Sequence, residues 1–291
     1  MNACCITFDV DMQVSKNGKT VFVDEFEYCF PQIAKQLEKN DQVKTTWFLR
    51  LDNQMKEIYG RPDYLFSEHA KEIKWLREHG HQLAWHIHPY AKSENGQWIQ
   101  NTNSEKIAEE VYQNQKLAKE YGISGAVRFG WCYQSNELMK LMDEIGCRID
   151  SSAIPRPKYS WANQFSDWSL CGQRPYYPSP ENYQVSGKNS MKILEVPMTT
   201  THIATSYDNG QKILRYINPA YHHKIFIDAY KQLDGDCVLI THPAENFSLW
   251  DCSHELLSYN VGVFGANIAA AAKTRRCITL ETYQKYLEGS I

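Results

Sequence analysis

Gly80-His81-Gln82-Leu83-Ala84-Trp85-His86-Ile87-His88-Pro89-Tyr90 is a short apolar run that ends in two histidines two residues apart, and a proline then stops it. In an extended strand alternate side chains share a face, so His86 and His88 point the same way. Two imidazoles on one face at a strand end form half of a metal site. The other half must come from a carboxylate, histidine or cysteine elsewhere. Ile6-Thr7-Phe8-Asp9-Val10-Asp11 offers one, again a strand that ends in a same-face pair.

Outward from these two stretches, apolar runs and helical periodicities alternate along the chain. Strands are predicted at 4–8, at 45–49, through His86 and His88, and at 125–128, 147–149, 192–196, 237–240 and 277–278. Helices are predicted over 24–39, 64–78, 104–121, with Ser104 as its cap, 135–145 and 221–233. Others follow near Glu255, in the alanine-rich stretch 266–272, and from Thr279. Such β-α alternation predicts a parallel sheet, and its length predicts a closed or nearly closed barrel in one domain over 1–291. The pattern breaks at 153–190, where five prolines mix with Tyr159, Trp161, Trp168, Tyr176, Tyr177 and Tyr183. A long aromatic loop inside a regular domain reads as a lid or substrate wall.

Asp9, Asp11, Asp52, His86, His88, Arg128, Asp150 and His242 all fall at the C-terminal ends of predicted strands. In a parallel barrel those ends share one face, where catalytic groups collect. The other histidines read differently. His79 and His81 flank a helix stop and are expected to cap or hydrogen-bond there. His222 and His223 are expected at the surface, whereas His202 could face the cleft.

Composition limits the function classes. With 291 residues and 43% hydrophobic content, the chain can bury a large core. A formal net charge of −3 gives no sign of a nucleic-acid or anionic-membrane partner. No apolar run reaches membrane-spanning length, so no membrane insertion is expected. The nine cysteines are odd in number and lack C-x-x-C spacing. They read as reduced thiols and, with a first strand that begins without a leader pattern, predict a cytoplasmic protein. Aromatic content of 13%, with 18 Tyr and 8 Trp, suits a ring-lined cleft of the kind sugars favour.

The strand-end residues also carry a family resemblance. The chain resembles the polysaccharide deacetylases (NodB-like, carbohydrate esterase family 4), and specifically their cytoplasmic-type members, over about residues 3–245. Thr7-Phe8-Asp9-Val10-Asp11 resembles the first motif in its spaced Asp-x-Asp form, and Gly80-His81-Gln82 through His86 the second. Arg128-Phe129-Gly130-Trp131 is similar to the third, Asp150-Ser151-Ser152 to the fourth, and Leu239-Ile240-Thr241-His242-Pro243 to the fifth. The resemblance implies a deformed (β/α)7 barrel and metal-dependent hydrolysis of an N-acyl group, acetyl or formyl, on an amino sugar or glycan precursor. By that resemblance Asp11 and His86 bind a divalent metal, Asp9 is the general base and His242 the general acid. Trp131 lends its backbone N–H to the oxyanion, while Arg128 and Asp150 steer the base and the acid. The usual second motif has histidines four apart, but Tyr90 stands four residues past His86. The third ligand is then His88, a different residue, or absent; same-face geometry favours His88, and His202 is the next candidate. Zinc suits this ligand set, with cobalt, iron and manganese as the other candidates. Two further readings are a C–N hydrolase of a ureide or cyclic imide, and a non-catalytic carbohydrate-binding protein on the same fold.

Overall fold

The structure, a computed structural model, describes residues 1–16, 19–161, 164–206, 208–248 and 254–289. Its main sheet has eight strands: β1 (Ala3–Val10), β2 (Thr45–Arg50), β3 (Gln82–Ile87), β4 (Ala126–Phe129), β5 (Ile149–Asp150), β6 (Leu194–Glu195), β7 (Cys237–Thr241) and β8 (Arg276–Cys277). They follow the order β6-β5-β4-β3-β2-β1-β7, with β8 also beside β1. The pairings β1–β7, β1–β8, β3–β4, β4–β5 and β5–β6 are all parallel. Neighbours in sequence are thus neighbours in the sheet until β7 returns to β1, the order that a seven-stranded α/β barrel requires.

Contacts divide the chain into two compact units. The first comprises Met1–Trp47, His69–Gln82 and Thr199–Ile291. Every residue of β1 is buried, as expected of a strand covered on both faces. Helix α1 (Glu25–Glu38) is capped by Asp24, whose carboxylate accepts the N–H groups of Phe26 and Glu27 at 3.1 and 3.0 Å. It buries Phe26, Phe30, Ile33 and Leu37. Phe8 stacks on Trp47 with ring centroids 4.0 Å apart, a pair worth about 0.5–1.5 kcal/mol beyond its burial.

The second unit comprises Phe48–Glu68 and Leu83–Met198. It holds helices α2 (Asn53–Tyr59) and α3 (Tyr64–Glu68). In the first unit α4 (Ala70–Glu78) follows, so the helix expected over 64–78 is two helices. His69 between them has φ −111° and ψ 37°, and its Nε2 lies 2.8 Å from Asp24 Oδ2. The sequence did not predict α2, which Asp52 caps by accepting the Met55 N–H at 2.9 Å.

Helix α5 (Ser104–Glu120) is capped by Asn103, not Ser104, through a bond from Lys106 N–H. Helix α6 (Asn136–Glu144) is capped by Ser135, as the predicted start at 135 implies. The irregular stretch 153–190 contains two short hairpins, Tyr159–Trp161 with Gln164–Ser166 and Pro178–Ser179 with Asn182–Ser186. Trp168, within it, is buried and donates its indole N–H to Cys132 O at 2.7 Å. Residues 162 and 163 of that stretch lie outside the described residues. The chain near Glu255 forms turns and isolated bridges instead of the expected helix. Helices α7 (His223–Tyr230), α8 (Val261–Ala272) and α9 (Leu280–Leu287) occupy the remaining predicted positions.

Candidate metal centre and acid–base site

In the second unit, β3 delivers His86 and the following turn delivers His88, both buried. Their Nε2 atoms lie 3.0 Å apart. His86 Nδ1 is 2.8 Å from the Arg128 carbonyl oxygen, which can only accept, so Nδ1 carries the proton. The lone pair of His86 therefore sits on Nε2, which faces His88 Nε2. A ring N–H donated to a backbone carbonyl is how protein folds fix the tautomer and orientation of metal-binding histidines.

Four neighbours hold His88. Its backbone N–H donates to Asp52 Oδ2 at 3.2 Å. Asp52 is fully buried and paired with Arg50, which also donates to Asp52 Oδ1 at 2.9 Å. Burial disfavours the Asp52 carboxylate, but the Arg50 guanidinium beside it outweighs that and lowers its pKa. Tyr90 stacks on the His88 ring at 5.3 Å and 11°, and Trp131 meets it edge-on at 5.4 Å. Gly130 completes the seat, because a Cβ there would lie 2.4 Å from the imidazole.

Arg128 is buried, with Nε donating to Ser151 O at 2.7 Å and its terminal nitrogen to Ser151 Oγ at 2.9 Å. Asp150 accepts Gln134 Nε2 at 2.7 Å and Ser152 N–H at 2.6 Å. Its register partner in the next strand is Glu195. Burial raises the pKa of both carboxyls, and Asp150 raises that of Glu195 further. Trp131 has φ 54° and Cys132 φ 58°, two successive left-handed residues without glycine. Such backbone strain concentrates at functional sites.

In the first unit, β1 delivers Asp9, buried, and Asp11 follows with its side chain 19% exposed. The Asp11 N–H donates to Glu25 Oε2 at 3.2 Å. His242 follows β7, with its side chain 26% exposed. Its Nε2 lies 3.7 Å from Asp11 Oδ2, and its Nδ1 lies 3.1 Å from Glu245 Oε1. Glu245 also accepts the His242 N–H at 2.8 Å and Asn218 Nδ2 at 2.7 Å. Burial works against the imidazolium, but Glu245, then Asp11 and Asp9, outweigh it and hold the His242 pKa well above the usual imidazole value. Burial also works against the Glu245 carboxylate, and His242 beside it outweighs that and lowers its pKa.

The described residues that could hold a metal ion are Asp11, His86 and His88, one carboxylate and two imidazoles. That donor set suits a divalent cation of the zinc class. The remaining histidines sit in other surroundings. His81 Nδ1 accepts Thr45 N–H at 3.1 Å, and burial lowers its pKa to about 4. His79 is exposed and donates to Trp75 O at 2.8 Å. His202 is exposed on a hairpin, and His222 and His223 are exposed at the start of α7.

Sequence reading did not single out Glu245 or Glu25. For Glu245 a signal existed: His242-Pro243-Ala244-Glu245 has the spacing of a capping box. Glu25 is an ordinary first helical residue, with no mark in the sequence of the bond that it makes to Asp11.

Neither a protein-family model nor a curated protein sequence gives a significant match to the chain. Solved structures do. A protein from Mycobacterium smegmatis assigned to the polysaccharide deacetylases superposes with a TM-score of 0.55 at 14% identity, covering 99% of this chain and 91% of that one. The chain has the deformed-barrel fold of that protein. A 4-alpha-glucanotransferase from Thermococcus litoralis gives a TM-score of 0.56 at 15% identity over 99% of this chain and 40% of the other. A GH57-type branching enzyme from Pyrococcus horikoshii gives 0.52 at 9% identity, over 98% and 70%. The deformed barrel is therefore shared by proteins of different named activities, and the side chains at its strand ends must supply the functional argument.

Proposed function

We propose that this protein is a metal-dependent hydrolase that removes an N-acyl group, acetyl or formyl, from an amino sugar or glycan precursor, in the cytoplasm. The observation that carries the reading is the His86/His88 pair, with Nε2 atoms 3.0 Å apart and the His86 tautomer set by Arg128 O. In this reading Asp11, His86 and His88 hold one divalent ion, zinc being the first candidate. When bound, such an ion lowers the pKa of a coordinated water toward about 7 and polarises the amide carbonyl.

The chain's own residues divide the remaining work. Asp9 accepts the proton that the attacking water gives up. His242, kept protonated by Glu245, donates a proton to the departing nitrogen. The Trp131 backbone N–H stabilises the oxyanion and Arg128 orients the base, while Glu245 takes the part beside His242 that the resemblance gives to Asp150, whose own partners are Gln134 and Ser152. Half-buried Tyr90, Trp98 and Trp131 support a sugar substrate, since their rings cluster beside His88 with Tyr90 centroids 4.3 Å from Trp131 and 5.9 Å from Trp98. The stretch 153–190 is read as a further substrate wall.

Incubation of zinc-loaded protein with a panel of N-acetylated and N-formylated amino sugars, free and nucleotide-linked, tests the reading. Acetate or formate release that disappears in Asp9→Asn and His242→Ala is expected. Release from ureides or cyclic imides alone would move the substrate class, and sugar binding without turnover would make it a binding protein.

A further inference from the structure

We propose that Glu25 is a positioning residue of the metal centre, acting through Asp11, an inference that rests on the reading above. Glu25 is the first residue of α1 and 1% exposed. A carboxyl taken this far out of water needs compensation. Among the described residues its hydrogen-bond donor is the Asp11 N–H, on Oε2. Its other oxygen, Oε1, is buried with no hydrogen-bond partner there.

What the Asp11 bond holds is a strained turn. Met12, the next residue, is fully buried with φ 56°, a conformation that costs a non-glycine residue energy. The chain then runs out through the hairpin Gln13–Lys16 with Lys19–Phe22 and returns beside its start, with Val23 N–H donating to Met12 O at 3.1 Å. Asp24 caps α1 two residues after Phe22, and Glu25 follows. Glu25 therefore closes the excursion at its root, on the residue whose carboxylate is the proposed ligand. Without that acceptor, the Asp11 N–H loses a buried partner and the left-handed Met12 loses one of its restraints. The carboxylate would then be free to leave the ligand position.

Zinc affinity separates this role from a general structural one. Full-length, metal-stripped protein would be titrated with zinc against a chromophoric chelator, for the wild type and for Glu25→Gln, Glu25→Asp and Glu25→Leu. The amide oxygen of Glu25→Gln still reaches the Asp11 N–H, so its affinity should stay within about threefold of wild type, whereas Glu25→Leu should lose about 10- to 100-fold, the usual cost of removing a group that orients a ligand. Glu25→Asp keeps the carboxyl but not the reach and should lose affinity like Glu25→Leu, which gives the comparison even if the leucine variant does not fold. Wild-type affinity in a folded Glu25→Leu or in Glu25→Asp would overturn the proposal, and so would equal losses in Glu25→Gln and Glu25→Asp. A wild type that binds no zinc would instead overturn the metal reading, and this inference with it.

Discussion

At Gly130 a single hydrogen in place of a methyl decides whether the His88 imidazole fits, because an added Cβ would stand 2.4 Å from the ring. Gly130→Ala should therefore push His88 from its seat. We expect zinc affinity to fall by about tenfold or more, with a stability loss of about 1–3 kcal/mol from overpacking; chelator competition and denaturant unfolding measure the two. Unchanged affinity would mean that His88 is not held where a ligand must be. The histidine pair was legible in the sequence because strand alternation puts residues two apart on one face. Gly130 was legible only as part of a motif, and its reason, contact with a ring 42 positions earlier, was not. Glu245 and Glu25 act through tertiary contacts that no local spacing announces, apart from the capping pattern at Glu245.

Among elements, the turn from β2 into α2 carries the largest concentrated risk. Asp52 pairs with buried Arg50, caps α2 through Met55 N–H and accepts the His88 N–H. Asp52→Ala leaves a buried guanidinium without its carboxylate, a change that costs about 3–5 kcal/mol. It should also weaken zinc binding, because the His88 backbone loses its anchor. Urea melts of the metal-free variant measure the first effect, and a loss below about 1 kcal/mol would contradict the buried-pair account.

The strand start at β2 has its own signature in pH. His81 accepts from Thr45 in its neutral form, and burial holds its pKa at about 4, against about 6.5 for an ordinary imidazole. Above 6.5 both folded and unfolded chains are neutral at this site and it contributes nothing to pH dependence. As pH falls through 6.5, the unfolded chain takes up a proton that the folded chain refuses until about 4. Stability should therefore decline across that window, by up to roughly 3 kcal/mol. Asn at 81 offers an acceptor oxygen close to the Nδ1 position, so His81→Asn should flatten that part of the acid-unfolding profile; an unchanged slope would assign it to other groups.

Elements with strong periodicity were legible: β1, α1, β2 and α6 lie within a few residues of their predicted spans. The break at His69 was not, because the bond that accompanies it goes to Asp24, 45 residues away. Short hairpins such as Tyr90–Lys92 with Trp98–Gln100 were also missed, since three-residue strands leave no periodicity to read.

For the whole molecule, β-α alternation was enough to predict an α/β barrel, and the strand order β6-β5-β4-β3-β2-β1-β7 agrees with it. A parallel barrel places polar strand ends on one face by construction, which is why so many site candidates could be named without coordinates. Among the described residues no helix is long and apolar enough to cross a membrane. The substrate was not legible, because it depends on the shape of loops and on aromatic rings set by tertiary packing.

A ligand that binds only the folded chain stabilises all of it by mass action. Zinc at about 100 times its dissociation constant should add roughly 2.7 kcal/mol. Thermal unfolding with zinc and with a chelator should show a rise in midpoint that the chelator reverses and that His86→Ala abolishes. An equal rise in His86→Ala would place the ion elsewhere.

The central claim is that His88 ligates a metal where the usual motif has its histidine at the position of Tyr90. Metal content per chain, measured on protein purified without chelators or a histidine tag beside its His88→Ala variant, tests it most directly. We predict near one equivalent of a divalent metal in the wild type and loss of that metal in the variant. One equivalent in both would move the third ligand away from His88, and no metal in either, even after reconstitution with zinc, would contradict the metal centre itself.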